Sequence, residues 1–173
     1  MKIYKKISLV IILFFINQTY LIADTNYLDF KYILDQSDAG KKANVFLKKQ
    51  LEEGVKKLKN EEAQLQKEEK EIIQQKKILS PEEYKKKITS LRSKVAGLQK
   101  RRNETLEDIS LKRNKARKVL LDKLNPIVKN YMVENNIKIV LDKKSVLLGD
   151  EELDITQDIL VLLNKNLKSI NLK

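Results

Sequence analysis

The 173-residue chain contains no cysteine, no histidine and no tryptophan. Without Cys or His there is no thiolate or imidazole ligand for zinc or haem, and no base for a nucleophile–imidazole triad. Disulfides are excluded as a source of stability. Proline occurs twice and glycine four times, at 40, 54, 97 and 149, which is sparse for a fold built on tight turns. None of these glycines falls in the G-x-x-x-x-G-K-[ST] spacing that cradles phosphate. Aromatic residues make up 6% of the chain. No apolar run approaches the roughly 20 residues that a membrane span needs.

Charge is abundant instead. Lys and Arg number 36 against 24 Asp and Glu, a net charge of +12, and charged residues are 35% of the total. Such a composition suits long solvated helices with a narrow apolar seam. The first residues stand apart. "MKIYKK" is a short basic segment, "ISLVIILFFI" (7–16) is apolar, and "LIA" (21–23) offers a cleavage point before Asp24. This pattern predicts a secretory leader over 1–23, removed on export. No Cys follows the apolar run to take a lipid. Cleavage removes Lys2, Lys5 and Lys6 and no acid, lowering the net charge from +12 to +9. An exported chain without disulfides needs another source of stability, and self-association is the expectation.

The positive charge lies in two stretches. Residues 41–77 carry eleven Lys and seven Glu, and residues 82–124 carry fourteen Lys and Arg against six acids. The ends together are slightly acidic. In the first stretch Leu51, Leu58, Leu65, Ile72 and Leu79 recur every seven residues. In the second, Tyr84, Ile88, Leu91, Val95 and Leu98 give way to Arg102 and Thr105, then resume with Leu106, Ile109, Ala116, Val119, Leu120 and Leu124. Heptads with charged flanks predict a coiled coil. Between the stretches "SPEE" (80–83) reads as a helix start: Ser80 caps, Pro81 suits the first position, and Glu83 closes a capping box. The chain is therefore expected to double back at 78–81. Folding about residue 80 would oppose Ile72 to Ile88, Leu65 to Val95, Leu51 to Ile109, and Leu58 to Arg102. Gly54 and Gly97 are read as tolerated on a solvated face rather than as bending points.

The ends have another pattern. "TNYLDF" (25–30), Ile137–Leu141 and Val146–Leu148 are strand candidates. Residues 153–167 predict an amphipathic helix capped by Asp154 or Thr156, with Leu160, Leu163 and Leu167 inward. Pro126 is expected to kink or restart the return helix. The expected fold class is mainly α with a small α/β body, from which a long antiparallel coiled-coil hairpin projects. Residues 24–40 and 125–173 form the body, and 41–124 the arm. So small a core needs company, and Tyr27, Leu28, Ile139, Leu141, Val146 and Leu148 are its expected contributors.

Two segments resemble the Skp/OmpH family of periplasmic chaperones. "YLDFKYILDQSDAGKKA" (27–43) is similar to the family's opening motif, matching at Tyr27, Asp29, Ile33, Leu34, Ser37, Ala39, Gly40 and Lys41. "IVLDKKSVLLGDEELDITQDILVLLN" (139–164) is similar to the closing motif, matching at Val140, Leu141, Asp142, Val146, Leu147, Asp154, Ile155, Thr156, Leu163 and Asn164. The resemblance implies a homotrimer whose hairpins surround a central cavity. It implies a periplasmic chaperone that holds unfolded outer-membrane proteins without ATP or any cofactor. Anionic lipid or lipopolysaccharide is a further partner class in the family, but its clustered basic site does not map onto positions here.

The residues expected to meet clients, through their summed field, are Lys85, Lys86, Lys87, Arg92, Lys94, Lys100, Arg101 and Arg102. Each alone is ordinary for a solvated coiled-coil face. A nucleic-acid binder would also be basic, but the arms offer only Phe46 and Tyr84 for stacking, and export removes the chain from DNA. A structural spacer in the envelope is the other reading. No constellation of nucleophile, base and oxyanion donors points to an enzyme. Asp142, Asp150, Glu151, Glu152 and Asp154 lack the EF-hand spacing and read as turn and helix caps.

Overall fold

A computed structural model describes residues 25–172; the leader expected over 1–23 lies outside them. Strand β1 (Thr25–Leu28) leads into helix α1 (Phe30–Gln36), the outgoing arm helix α2 (Asp38–Gln75) and the return helix α3 (Pro81–Glu134). Strand β2 (Ile139–Asp142), two 3-10 turns and helix α4 (Thr156–Asn166) complete the chain. β1 and β2 pair in parallel, Thr25 opposite Ile139 and Leu28 opposite Asp142. The whole hairpin is thus an excursion between two neighbouring strands.

The motif residues are the joints of the body. Asp29 caps α1 by accepting the Tyr32 amide, and its own amide donates to Thr156 Oγ1. Fully buried Ser37 ends α1 and caps α2, its hydroxyl accepting the Gly40 amide. The Asp38 amide, also orphaned at this helix start, donates to Asn164 Oδ1 on α4 at 2.8 Å. Gly40 is required by close approach: a Cβ there would lie 1.8 Å from the Leu34 carbonyl oxygen. Around these joints Leu28, Ile33, Leu124, Ile159 and Leu163 are fully buried and form the centre of the core.

The arm follows the heptads, with revised limits. α2 begins at Asp38 rather than 41, and the reversal occupies 76–80, with Pro81 already the first residue of α3. The predicted capping box is present: Ser80 Oγ accepts the Glu83 amide, and the Glu83 carboxylate accepts the Ser80 amide. At 1.5 Å per residue the 38-residue α2 is about 55 Å long.

Three expectations need revision. Of the kink or restart expected at Pro126, the restart is absent: α3 runs through it to Glu134. Leu124, Ile127 and Val128 on either side pack against the body core, and that burial outweighs the hydrogen bond proline removes. Val146–Leu148 is not a strand. The backbone turns at Lys143–Ser145, where Asp142 accepts the Lys144 amide, and the bend that follows leaves Leu147 and Leu148 over 90% exposed. At α4 the cap position falls to Ile155, without a side-chain bond. Asp154 instead accepts the Thr156 amide and hydroxyl one residue upstream.

Candidate arm surface

The two arm helices touch along the heptad seam, where Leu58, Ile72, Leu91, Leu98 and Ile109 are buried. Their flanks differ. On one face Glu61 meets Arg101 at 2.6 Å, Glu68 meets Lys94 at 2.6 Å, and Gln75 accepts from Lys87 at 2.7 Å. These partners recur every seven residues on both helices (61, 68, 75 and 101, 94, 87), so they form a ladder that runs the outer arm. Each rung is half-exposed and contributes at most about 1 kcal/mol. Its larger effect is on register, since a slip by one heptad would leave the last carboxylate unpaired.

Among the described residues the ladder face holds one hollow, of about 440 Å³, lined mostly by polar residues such as Glu61, Arg101 and Asp108. The other face carries little ion pairing and holds three with more apolar linings. Near the tip, Leu65, Ile88, Leu91 and Val95 floor a groove of about 700 Å³, rimmed by Arg92 and Arg102 and by Glu62 and Glu69. It continues into a smaller hollow over Val55, Leu58 and Leu106. At the arm root a third, of about 640 Å³, is floored by Phe30, Leu34, Leu47 and Leu120 beside Arg113 and Arg117. One heptad row of α3 touches all three: Arg92 and Gln99, then Leu106, then Arg113. Val95 is 50% exposed and Leu106 54%, so these two seam positions open to solvent rather than closing the hairpin. Leu65 and Val95, expected to oppose one another, line the same groove, as do Leu58 and Arg102 in the next.

Gly54 does not stand on a solvated face. A Cβ there would come within 2.7 Å of Thr105 Cγ2, so the glycine lets the helices approach between Leu58 and the root. Gly97 is as expected: its nearest neighbour is the movable Arg101 guanidinium at 3.3 Å.

The eight basic residues marked in the sequence are therefore divided. Lys87, Lys94 and Arg101 are rungs of the ladder. Lys100 reaches Glu104 on its own helix, 3.8 Å away. Arg102 crosses to Glu62 at 3.4 Å. Lys85, Lys86 and Arg92 are exposed and make no ion pair among the described residues. Arg113 and Arg117 were not among the client-facing residues expected; the row 92, 99, 106, 113 could have linked Arg113 to the groove. In the body, Tyr27 and Leu28 are buried within the chain, whereas Ile139 and Leu141 point outward from β2. Tyr27 donates to the Asp150 carbonyl, and its ring lies 5.7 Å from the Lys143 ammonium. Val146 is half-buried and Leu148 open. The carboxylates at 142, 150 and 154 each accept a backbone amide in a turn, the capping role expected of them.

Asp154 and Tyr131 are among the groups that titrate away from their ordinary values. Burial pushes the Asp154 carboxyl up, but Lys143 at 2.6 Å and the Thr156 hydroxyl and amide pull it down further, leaving it below the usual range. Tyr131 donates to Asp158 at 2.7 Å, and that bond, with some burial, raises its phenol to about 12.

Residues 25–163 match the family model described as "Outer membrane protein (OmpH-like)". Among solved structures, the fold is similar to that of a Caulobacter crescentus CB15 protein provisionally assigned as an outer membrane chaperone (OmpH-like). The two share 18% identity over 87% of this chain and 89% of the other, with a TM-score of 0.80. No curated protein matches the chain.

Proposed function

The chain belongs to the OmpH-like family, and from that premise we propose that it is a chaperone of the periplasm that holds unfolded outer-membrane proteins without ATP. Unfolded barrel strands alternate apolar and polar residues and aggregate readily. A holder has to grip many such segments without reading their order. The carrying observation is the two-faced arm: an ion-paired ladder on one side, and on the other a chain of shallow apolar hollows lined by arginines and lysines as well as carboxylates. Each hollow is small and open, so each contact is weak, and avidity comes from repetition.

Repetition requires several arms. Ile139 and Leu141 are 49% and 40% exposed on the outer edge of β2, and Leu147 and Leu148 lie open beside it. An unpaired apolar edge of this kind invites strand or side-chain contact with another copy. In our reading three bodies join through it and three hairpins enclose the client, in a protein exported through its leader. The net positive charge of the arms draws in acidic clients from a distance.

The deciding experiment dilutes a urea-unfolded outer-membrane β-barrel protein into buffer with the purified mature chain and follows light scattering. Suppression near one assembled chaperone per client is expected. Undiminished aggregation would favour a structural spacer of the envelope.

A further inference from the structure

The choice between arginine and lysine is uneven along the arm. Of the 36 basic residues only five are arginine, at 92, 101, 102, 113 and 117, all on α3. Four of the five rim the apolar hollows: Arg92 and Arg102 the outer ones, Arg113 and Arg117 the root. Arg101 sits on the ladder, bonded to Glu61 through two nitrogens, and lines a more polar hollow on that face with Glu61, Glu104 and Asp108. Lysine supplies the remaining positive charge, and of the 31 lysines only Lys31, Lys59 and Lys144 line those same hollows among the described residues. A field that merely attracted clients would be served equally by either residue, since both are fully charged.

The two differ in what they do beside an apolar floor. A guanidinium is planar, weakly hydrated and stacks on aromatic faces, whereas an ammonium is a compact and strongly hydrated point charge. Arg92, Arg113 and Arg117 form no ion pair among the described residues, so their planes remain available. Each lines the same hollow as leucine, valine or phenylalanine side chains, which would cover the second face of an inserted ring. The arm itself contributes few rings to compete: Tyr84 lies at the tip, near Lys76, and Phe46 packs at the root.

We infer that the hollow face of the arm selects aromatic side chains of the unfolded client, each ring held between the apolar floor and an arginine plane. This deepens the holding function proposed above and rests on it. The occupant is an extended polypeptide bearing Tyr, Phe or Trp, and unfolded barrels supply such segments from their two aromatic girdles.

The test measures binding of the mature full-length chain to two unstructured fluorescent peptides of equal length and charge. One carries Phe and Tyr at its apolar positions, the other Leu and Val. The aromatic peptide should bind about tenfold more tightly, the effect of two stacks engaged at a time. R92K/R102K/R113K/R117K keeps every charge and should erase that difference, while R101K should leave it intact. As a measure that needs no variant to fold, pentafluorophenylalanine in the aromatic peptide inverts the ring quadrupole and should reduce binding to the level of the Leu/Val peptide. Equal affinity of wild-type protein for the two peptides, or equal loss in R101K, would overturn the inference while aggregation suppression left the holding function standing. If the wild-type chain neither bound the peptides nor suppressed aggregation, the holding function itself would fail, and the inference with it.

Discussion

Leu172 is 4% exposed although it lies past α4, and it packs with Ala43, Leu47 and Ala116 where the two arm helices leave the body. Ile170 touches both this cluster and the body core. Lys168 joins in through a 3.1 Å ion pair to Asp38, and its carbonyl accepts from Lys42. Residues 167–172 therefore strap the arm root to the body, beyond the residues matched by the family model, which stop at 163. Leu172→Ala removes most of a buried side chain from a small cluster near the surface. The cost belongs at the low end of leucine truncations, about 2–3 kcal/mol, because such a site can partly collapse. It should act locally, by letting the root open while the body core stays closed. At about 1.4 kcal/mol per tenfold, hydrogen-exchange protection at residues 43–47 and 113–120 should fall roughly 30- to 150-fold at fixed protein concentration. Protection around Leu28 and Ile159 in the body should change little. A root as protected in the variant as in the wild type, or a loss spread evenly over body and tip, would show that the tail does not hold the arm.

Gly40→Ala should lower stability by about 3–4 kcal/mol or more, read from the urea midpoint, since the new Cβ meets a backbone oxygen that cannot turn aside. Gly97→Ala should instead gain up to about 1 kcal/mol, because only a flexible guanidinium has to move. Absorbance titration should find one tyrosine ionising near 12, and Asp158→Asn should bring it back toward 10. The folded value lies above the unfolded one, so the stabilisation is whole below pH 10 and is lost as pH rises toward 12. Leu141→Lys should break the assembly into lighter species in sedimentation, and an unchanged mass would remove β2's outer edge from the interface. Raising salt from 0.1 to 1 M shortens the screening length from ~10 to ~3 Å and should slow capture of an unfolded barrel protein; a constant rate would dismiss the arm charge as the driver.

Much of the hairpin was legible from spacing alone. Heptads, a capping box and a lack of helix breakers are local signals, and the helices that result make the same bonds whatever surrounds them. Leu51 to Ile72 marked the outgoing helix, with Leu79 falling in the reversal beyond it, and Ser80 with Glu83 marked the start of the return. Charge totals likewise need only counting. The body was legible in part: two short apolar runs a hundred residues apart read as strand candidates, but the parallel pairing of β1 with β2 came only from the fold.

What tertiary packing decided is of another kind. Pro126 stays inside a helix because its neighbours are buried on the body, a gain no local rule contains. Val146–Leu148 has strand composition but no neighbouring strand among the described residues, so it bends away. The equivalence of the basic residues dissolved for the same reason. On the sequence Arg101 and Arg102 are adjacent cations; in the hairpin a 100° step around the helix sends one to a carboxylate ladder and the other to the rim of an apolar hollow. Composition determined that this chain would extend a long, cationic, two-helix arm, because charge and heptads act through nearest neighbours. Which face is ion-paired and which is hollow was decided only when the second helix arrived, because only then did each side chain acquire an opposite.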